Sequence, residues 1–310
     1  MILTVTANSA LDKVIYIEEF IPTHDMRSQK MVESVGGKGF DTSVVLASLG
    51  IKNLALGIVA GSSGKRLEQL LDGYGIPTDL VWVEGETRVA NVIVETLHNR
   101  QSHVVTPGYV VSEAAAAEFT RRYSNHLLEA DWVIASGSLP EGLPADYYGV
   151  LAQLARQAGV NIMVDCSGEA LRLAVQGQPA VLKMNRLEFE QAFGIRSSSV
   201  KELGLLARAF RLVQGLPALV ITCGMDGILA ITEKGEFQAA SPAQAEVNSA
   251  GAGDAVSAAI AWRLSLGEGW CEALRWSAAV SAAVVLTPGT ADCNSEDVAR
   301  ILLESKVWAI

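Results

Sequence analysis

Residues 131–165 read DWVIASGSLPEGLPADYYGVLAQLARQAGVNIMVD. Asp131–Ser136 is a short apolar run that predicts a buried strand. Ala145–Gln157 repeats apolar residues at helical spacing, and Asn161–Asp165 is a second apolar run. A strand–helix–strand unit of this length joins two neighbouring parallel strands by a crossover helix. Its strands are almost continuously apolar, which predicts a sheet covered on both faces. The rhythm extends in both directions. Leu54–Ala60 reads as a buried strand, Lys65–Tyr74 as a helix ending near Gly75, and Ala180–Met184 as a short strand. Helices are predicted over Leu187–Phe193 and Val200–Val213, and another strand over Ala218–Thr222. The fold class is α/β, a doubly wound, mostly parallel sheet flanked by helices.

Two stretches break the rhythm. Val14–Val35 has short alternating segments around Pro22. Arg88–Thr106 has two alternating runs joined by the polar turn His98–Ser102. Both predict strands of a half-exposed sheet that pair in space, a small β-lid on the α/β core. Edge hairpins without a lid role are the plainer alternative. The expected organisation is one domain over residues 1–310, with a lid formed by about 12–36 and 86–107.

Half of the 310 residues are hydrophobic, enough to bury a large core. The formal net charge of −10 argues against nucleic acid or a membrane surface as partner, since both demand cationic patches. It leaves small phosphates open. Cys166, Cys223, Cys271 and Cys293 lack metal or redox spacing, so free thiols in a reducing compartment are expected. The N-terminal residues show no cationic leader, and the longest uncharged run, Trp276–Ala291, is too short for a bilayer and contains Pro288. That run is expected to be a core helix and the loop after it, and the protein to be cytoplasmic. His24, His98, His103 and His126 show no paired spacing.

Three motifs carry chemistry. Asn248-Ser249-Ala250-Gly251-Ala252-Gly253-Asp254 precedes an apolar helix over Ala255–Leu266. Small residues at a helix start let backbone N–H groups cradle an anion. Asp254 beside such a cradle suits a base for a hydroxyl attacking a phosphoryl group. An ordinary Asp favoured by the helix dipole is the alternative. Val35-Gly36-Gly37-Lys38-Gly39-Phe40-Asp41 opens a helix over Asp41–Leu49, and matches neither a P-loop nor a dinucleotide fingerprint. Asn185 and Glu188 are three apart across a strand-to-helix junction. They suit a hard cation on phosphates, directly or through water, although N-x-x-E is also a capping pattern.

Together Gly36–Gly39 and Ser249–Asp254 resemble the two signatures of the pfkB carbohydrate kinases, in the ribokinase-like superfamily. Asn8–Asp12, Thr87-Arg88, Ser136–Pro140, Val164–Leu171, Asn185–Glu188 and Gly289-Thr290 fit in the same order. The nearest branch is that of 1-phosphofructokinase, tagatose-6-phosphate kinase and the minor bacterial 6-phosphofructokinase. The resemblance implies a β-sheet lid that often forms a homodimer contact, with ATP and Mg²⁺ as cofactors. It implies Asp254 as catalytic base and Gly251, Ala252 and Gly253 as anion hole. Asn185 and Glu188 would organise the metal and the ATP phosphates, with Thr222, Gly224 and Gly227 on the nucleotide. Asp12, Gly37, Lys38, Asp41 and Ser138 fall in the sugar-binding set, and Arg27, Lys38 and Arg88 are candidates for a substrate phosphate.

Asp41 stands where the family usually has Asn, and ionised Asp only accepts hydrogen bonds. Ala255 stands where Ser or Thr is common. The implied reaction is ATP-dependent phosphorylation of a ketohexose phosphate (fructose 1-phosphate, tagatose 6-phosphate or fructose 6-phosphate). An unphosphorylated sugar or a nucleoside is the alternative acceptor, and a non-catalytic sensor on the same fold the alternative class.

Overall fold

The computed structural model describes residues 1–98 and 100–310. The chain opens with β1 (Ile2–Thr6), forms β2 (Ala10–Ile17) and β3 (Lys30–Gly36), and returns through α1 (Lys38–Ser48) to β4 (Asn53–Ala60). Helix α2 (Gly61–Gly73) leads to β5 (Thr78–Val83), then β6 (Arg88–Glu95) and β7 (Arg100–Val105). Alternation follows with α3 (Glu113–His126), β8 (Trp132–Ser136), α4 (Tyr147–Gln157), β9 (Asn161–Asp165), α5 (Gly168–Ala174) and β10 (Val181–Asn185). Next come α6 (Arg186–Phe193), α7 (Val200–Gln214), β11 (Ala218–Thr222), β12 (Ile228–Thr232) and β13 (Gly235–Ala240). The chain ends with α8 (Ala252–Ser265), α9 (Trp270–Val284), α10 (Ser295–Leu302) and β14 (Lys306–Ala309).

Ten strands form one sheet in the order β14-β13-β12-β11-β10-β9-β8-β1-β4-β5. From β5 to β11 every neighbour is parallel, and β12, β13 and β14 extend it antiparallel. Helices cover both faces, as the continuous apolar strands require. One face packs on Phe119, Tyr123, Tyr148 and Leu151 of α3 and α4. The other packs on α1, α8, α9 and α10, where Ala258, Ala259, Ala279 and Ala283 are fully buried. Those alanines let α8 and α9 approach closely.

The two stretches outside the rhythm do pair. They form a separate four-stranded sheet, β3-β2-β6-β7, in which β2 and β6 run parallel, Ala10 opposite Arg88 through Ile17 opposite Glu95. The strand limits differ from the expected ones: β6 ends at Glu95, and β7 starts at Arg100, inside the anticipated turn His98–Ser102. Trp276–Ala291 is the second half of α9 and the loop beyond it. All four cysteines are free, and no helix among the described residues is long and apolar enough to cross a membrane.

Gly57 lies in the middle of β4 under the Phe40 ring of α1, so a Cβ there would overlap that ring. Gly57→Ala is expected to cost about 1–3 kcal/mol of stability by overpacking. Combining it with Phe40→Leu should cost less than the sum of the two single changes, as measured by chemical denaturation.

Candidate active site

The parallel strands all end on one edge of the sheet, where loops gather polar groups at the carboxyl ends. Two helix N-termini face that edge. At α8 the N-cap is Gly251, with φ +86°, and an added Cβ would lie 2.5 Å from Ala291 Cα. Glycine is therefore required there twice over, by conformation and by space. The helix begins at Ala252, three residues earlier than the apolar pattern indicates. The Ala252 N–H donates to Ser249 O (3.2 Å) and the Ala255 N–H to Gly251 O (2.9 Å). Between them the Gly253 and Asp254 N–H groups have no backbone acceptor among the described residues. A pair of free N–H groups at a positive dipole end is an anion cradle.

Asp254 lies in the first turn of α8, buried, and its Oδ1 has no hydrogen-bond partner. Burial pushes its carboxyl up to about 7; Asp165 adds to the rise, while Lys183 and Lys38 oppose it. The second N-terminus is that of α1, which also starts three residues before the expected Asp41, at Lys38. Lys38 Nζ donates to Asp165 Oδ1 (3.0 Å) and Glu188 Oε1 (3.4 Å). Burial would draw the Lys38 ammonium down, but Asp165, Asp254 and Glu188 hold it above the ordinary lysine value.

Asp41, one turn further along α1, is buried with an unpartnered Oδ1. Burial raises its carboxyl well above the usual range; Asp254 and Asp12 raise it further against Arg88 and Lys38. Asp12 lies within β2 of the second sheet rather than in the loop after β1. Its Oδ2 accepts from Thr290 Oγ1 (3.2 Å), and burial lifts it to about 6 against that bond and Arg88. The Arg88 guanidinium donates to the carbonyls of Asn8 (3.3 Å) and Ser9 (3.4 Å). Asn8 Nδ2 donates to Ser138 Oγ (3.0 Å), tying the loops after β1 and β8 together. Three carboxylates, one lysine and one arginine thus share one electrostatic neighbourhood with Gly37, the N-cap of α1.

Asn185 and Glu188 form a full capping box at the start of α6. Glu188 N–H donates to Asn185 Oδ1 (2.8 Å), and Asn185 N–H to Glu188 Oε2 (2.7 Å). The capping pattern is therefore realised, while the other Glu188 oxygen reaches Lys38. Thr222, Gly224 and Gly227 line a cleft of about 380 Å³ together with Ser249, Ala252 and Gly253, so the cleft runs up to the α8 cradle. Val256, Ala278 and Val285 supply its apolar wall. Arg27 is not drawn into this arrangement. It lies on the exposed connection 18–29 and makes no hydrogen bond or ion pair to the others among the described residues.

One site residue escaped the sequence reading. Lys183, buried in β10, donates to Asp165 Oδ2 (2.6 Å), and its Nζ would lie 3.1 Å from a Cβ at Gly253. A lysine inside an otherwise apolar strand was the available signal, because a fully buried cation demands a partner.

Comparison with known proteins agrees with this geometry. The model of the pfkB family carbohydrate kinases matches residues 4–297. The chain is 33% identical over 301 residues to the ATP-dependent 6-phosphofructokinase isozyme 2 of Mycobacterium tuberculosis, covering 96% of this chain and 88% of that protein. It is 29% identical over 297 residues to the D-tagatose-1-phosphate kinase of Bacillus licheniformis, covering 96% of each. A solved structure from Thermotoga maritima, described as a possible 1-phosphofructokinase, superimposes with a TM-score of 0.89 at 28% identity, covering 100% of this chain and 99% of that one. With the helix cradle at Gly251–Asp254, the glycine-rich start of α1 and a family match across nearly its whole length, the chain belongs to the pfkB family of carbohydrate kinases.

Proposed function

We propose that the protein transfers the γ-phosphoryl group of ATP to a hydroxyl of a ketohexose phosphate. The observation that carries this reading is Asp254: a buried carboxylate with one unpartnered oxygen, next to two free backbone N–H groups. Asp254 accepts the proton of the attacking hydroxyl. The Gly251–Asp254 turn holds the transferred group through the Gly253 and Asp254 N–H groups, because the Ala252 N–H of the expected anion hole is taken by Ser249 O. Phosphoryl transfer is loose, so positioning and charge stabilisation dominate and a modest base suffices. The cleft beside Thr222, Gly224 and Gly227 takes the nucleotide. Relatives named ATP-dependent 6-phosphofructokinase isozyme 2 and D-tagatose-1-phosphate kinase support a sugar phosphate as acceptor.

The donor set fits a loosely held Mg²⁺. No cluster of three metal-ligating side chains exists among the described residues, so phosphates and water would supply most ligands, with Glu188 and Asn185 as outer contacts. When bound, Mg²⁺ neutralises charge on the phosphates. Lys38 and Lys183 contribute fixed positive charge on the same side.

The second sheet acts as the lid. Asp12 and Arg88 project from one of its faces, which would exclude water once an acceptor is bound. Its opposite face carries Ile15 opposite Ile93 and exposed Met31, with exposed Val104 opposite Asn91 on the same face, which supports a homodimer through that face.

A second reading has its own observation. Lys38 is already engaged by Asp165 and Glu188, and Asp41 adds a third acid near Asp12 and Asp254. That balance favours an acceptor with hydroxyls but no phosphate close to Asp41. ADP release over a panel of sugars, sugar phosphates and nucleosides decides between the two.

Asp254→Asn should lower kcat by about 100-fold or more, with the KM for ATP nearly unchanged. Because the base must be ionised, kcat/KM for the acceptor should fall as pH drops below about 7. Full turnover in that variant refutes the base assignment. Asp41→Asn should change the ranking of acceptors in the panel; an identical profile refutes the role of Asp41. Asp41 is held above its unfolded value, so its contribution to stability is present at low pH and lost as pH rises. Asp41→Asn should therefore raise Tm more at pH 8 than at pH 5.

A further inference from the structure

We infer that Thr290 is a positioning residue that locks the Asp12 carboxylate of the second sheet to the phosphoryl cradle at the start of α8. This rests on the proposed function, in which Asp12 holds the acceptor and Gly251–Asp254 holds the transferred group. Thr290 is buried on the loop between α9 and α10. Its hydroxyl donates to Asp12 Oδ2 (3.2 Å) and accepts from Ser34 Oγ (3.2 Å), so β2 and β3 both hang on one side chain. Tyr16 of the same sheet donates to Pro288 O (3.2 Å), two residues before it.

The other side of the loop is fastened to the cradle. The Ala291 N–H donates to Ala250 O (3.2 Å). Asn248 donates to Gly289 O (3.1 Å) and accepts from the Ala250 N–H (3.0 Å). Ala291 has φ +57°, a conformation that a residue with a Cβ holds only when its surroundings impose it. Gly251 is pressed against it so closely that no Cβ fits between them. Residues 288–291 therefore form a rigid bridge: hydrogen bonds from the second sheet enter on one side, and the N-cap of α8 rests on the other.

The consequence concerns when the site is complete. One Asp12 oxygen is fixed by Thr290, which sets the rotamer and leaves Oδ1 for the acceptor. A shift of the second sheet away from the core breaks the Thr290–Asp12 bond and removes a support of the cradle. Acceptor orientation and the anion cradle are thus assembled together. Without the bond, both sites exist but are no longer held in line, and misplacement of this kind costs rate rather than nucleotide affinity.

The experiment compares wild type with Thr290→Val, which keeps the shape and removes the hydroxyl, and Thr290→Ser, which keeps the hydroxyl. In Thr290→Val, kcat/KM for the acceptor should fall about tenfold or more, as expected for losing a bond to a carboxylate. The KM for ATP should stay within about twofold. Thr290→Ser should recover most of the loss. In a double-mutant cycle, Thr290→Val should add little to Asp12→Ala, since that change already removes the acceptor of the Thr290 hydroxyl. Wild-type kinetics in Thr290→Val, or losses that simply add in the cycle, overturn the proposal while leaving the functional reading intact. A merely structural Thr290 would lower Tm and leave the acceptor kinetics of the folded enzyme unchanged. A wild-type chain that phosphorylates no acceptor overturns the functional reading, and this inference with it.

Discussion

The site depends on one buried carboxylate shared by two lysines, Lys183 buried and Lys38 partly exposed. Asp165 ends β9 and is fully buried. One oxygen takes Lys38 from α1, and the other takes Lys183 from β10 and the Ser257 hydroxyl from α8 (3.4 Å). Burial works against the Asp165 charge, yet Lys183 and then Lys38 outweigh it and keep it below the ordinary carboxylate range. An ion cluster of this kind contributes little net stability, but loss of its centre would leave the buried Lys183 cation unpaired, while Lys38 would keep Glu188. What it does provide is placement. Two helices and two strands are fixed relative to one another at the edge where the cradle opens. The sum of the three charges is one positive unit beside Asp254, which offsets part of the burial that raises that acid.

Around this centre the candidate site draws on two sheets. The cradle and the lysines belong to the main sheet and its helices. Asp12, Ser34 and Arg88 belong to the second sheet, which meets the core through Thr290, Tyr16 and the Arg88 contacts to Asn8 and Ser9. A kinase must bring an acceptor and a phosphoryl group into line while keeping water away. Under the proposed function, placing the two halves on separate sheets makes that alignment depend on those polar bonds together with the packing of Val35 on Phe40 and Val44.

Much of the fold was legible because its signals are local. The strands Asn161–Asp165 and Ala218–Thr222 have the limits their apolar runs indicate. The strands that pair in the second sheet were recognisable by alternation alone. Both active-site helices began earlier than the pattern suggested, at Lys38 and Ala252, because glycine and alanine in the first turn carry no amphipathic signal and the starts are fixed by tertiary contact. The last antiparallel strand, β14, depends on the C-terminal residues returning to pair with β13, a long-range event that no local pattern encodes, whereas β12 and β13 join through local antiparallel pairings. Lys183 was passed over for a related reason. Only the arrival of Asp165 from another strand explains a charge in that apolar run.

Asn185 and Glu188 show why a motif and its plainer alternative need not compete. The capping box is present, and it is what holds Glu188 so that its second oxygen meets Lys38. The same economy applies to charge. Under the proposed function, a protein of net charge −10 handles phosphates because backbone N–H groups and two lysines act within a few ångströms, whereas exposed charges beyond about 10 Å are screened. Net charge therefore says little of a small ligand, although it argues against polyanionic partners. The unpartnered oxygens say more: Asp41 Oδ1 and Asp254 Oδ1 are both buried acceptors without donors. A buried acceptor is costly unless a ligand completes it. Under the proposed function, each would take a hydroxyl of the acceptor, and a molecule with several hydroxyls in fixed relation answers both at once.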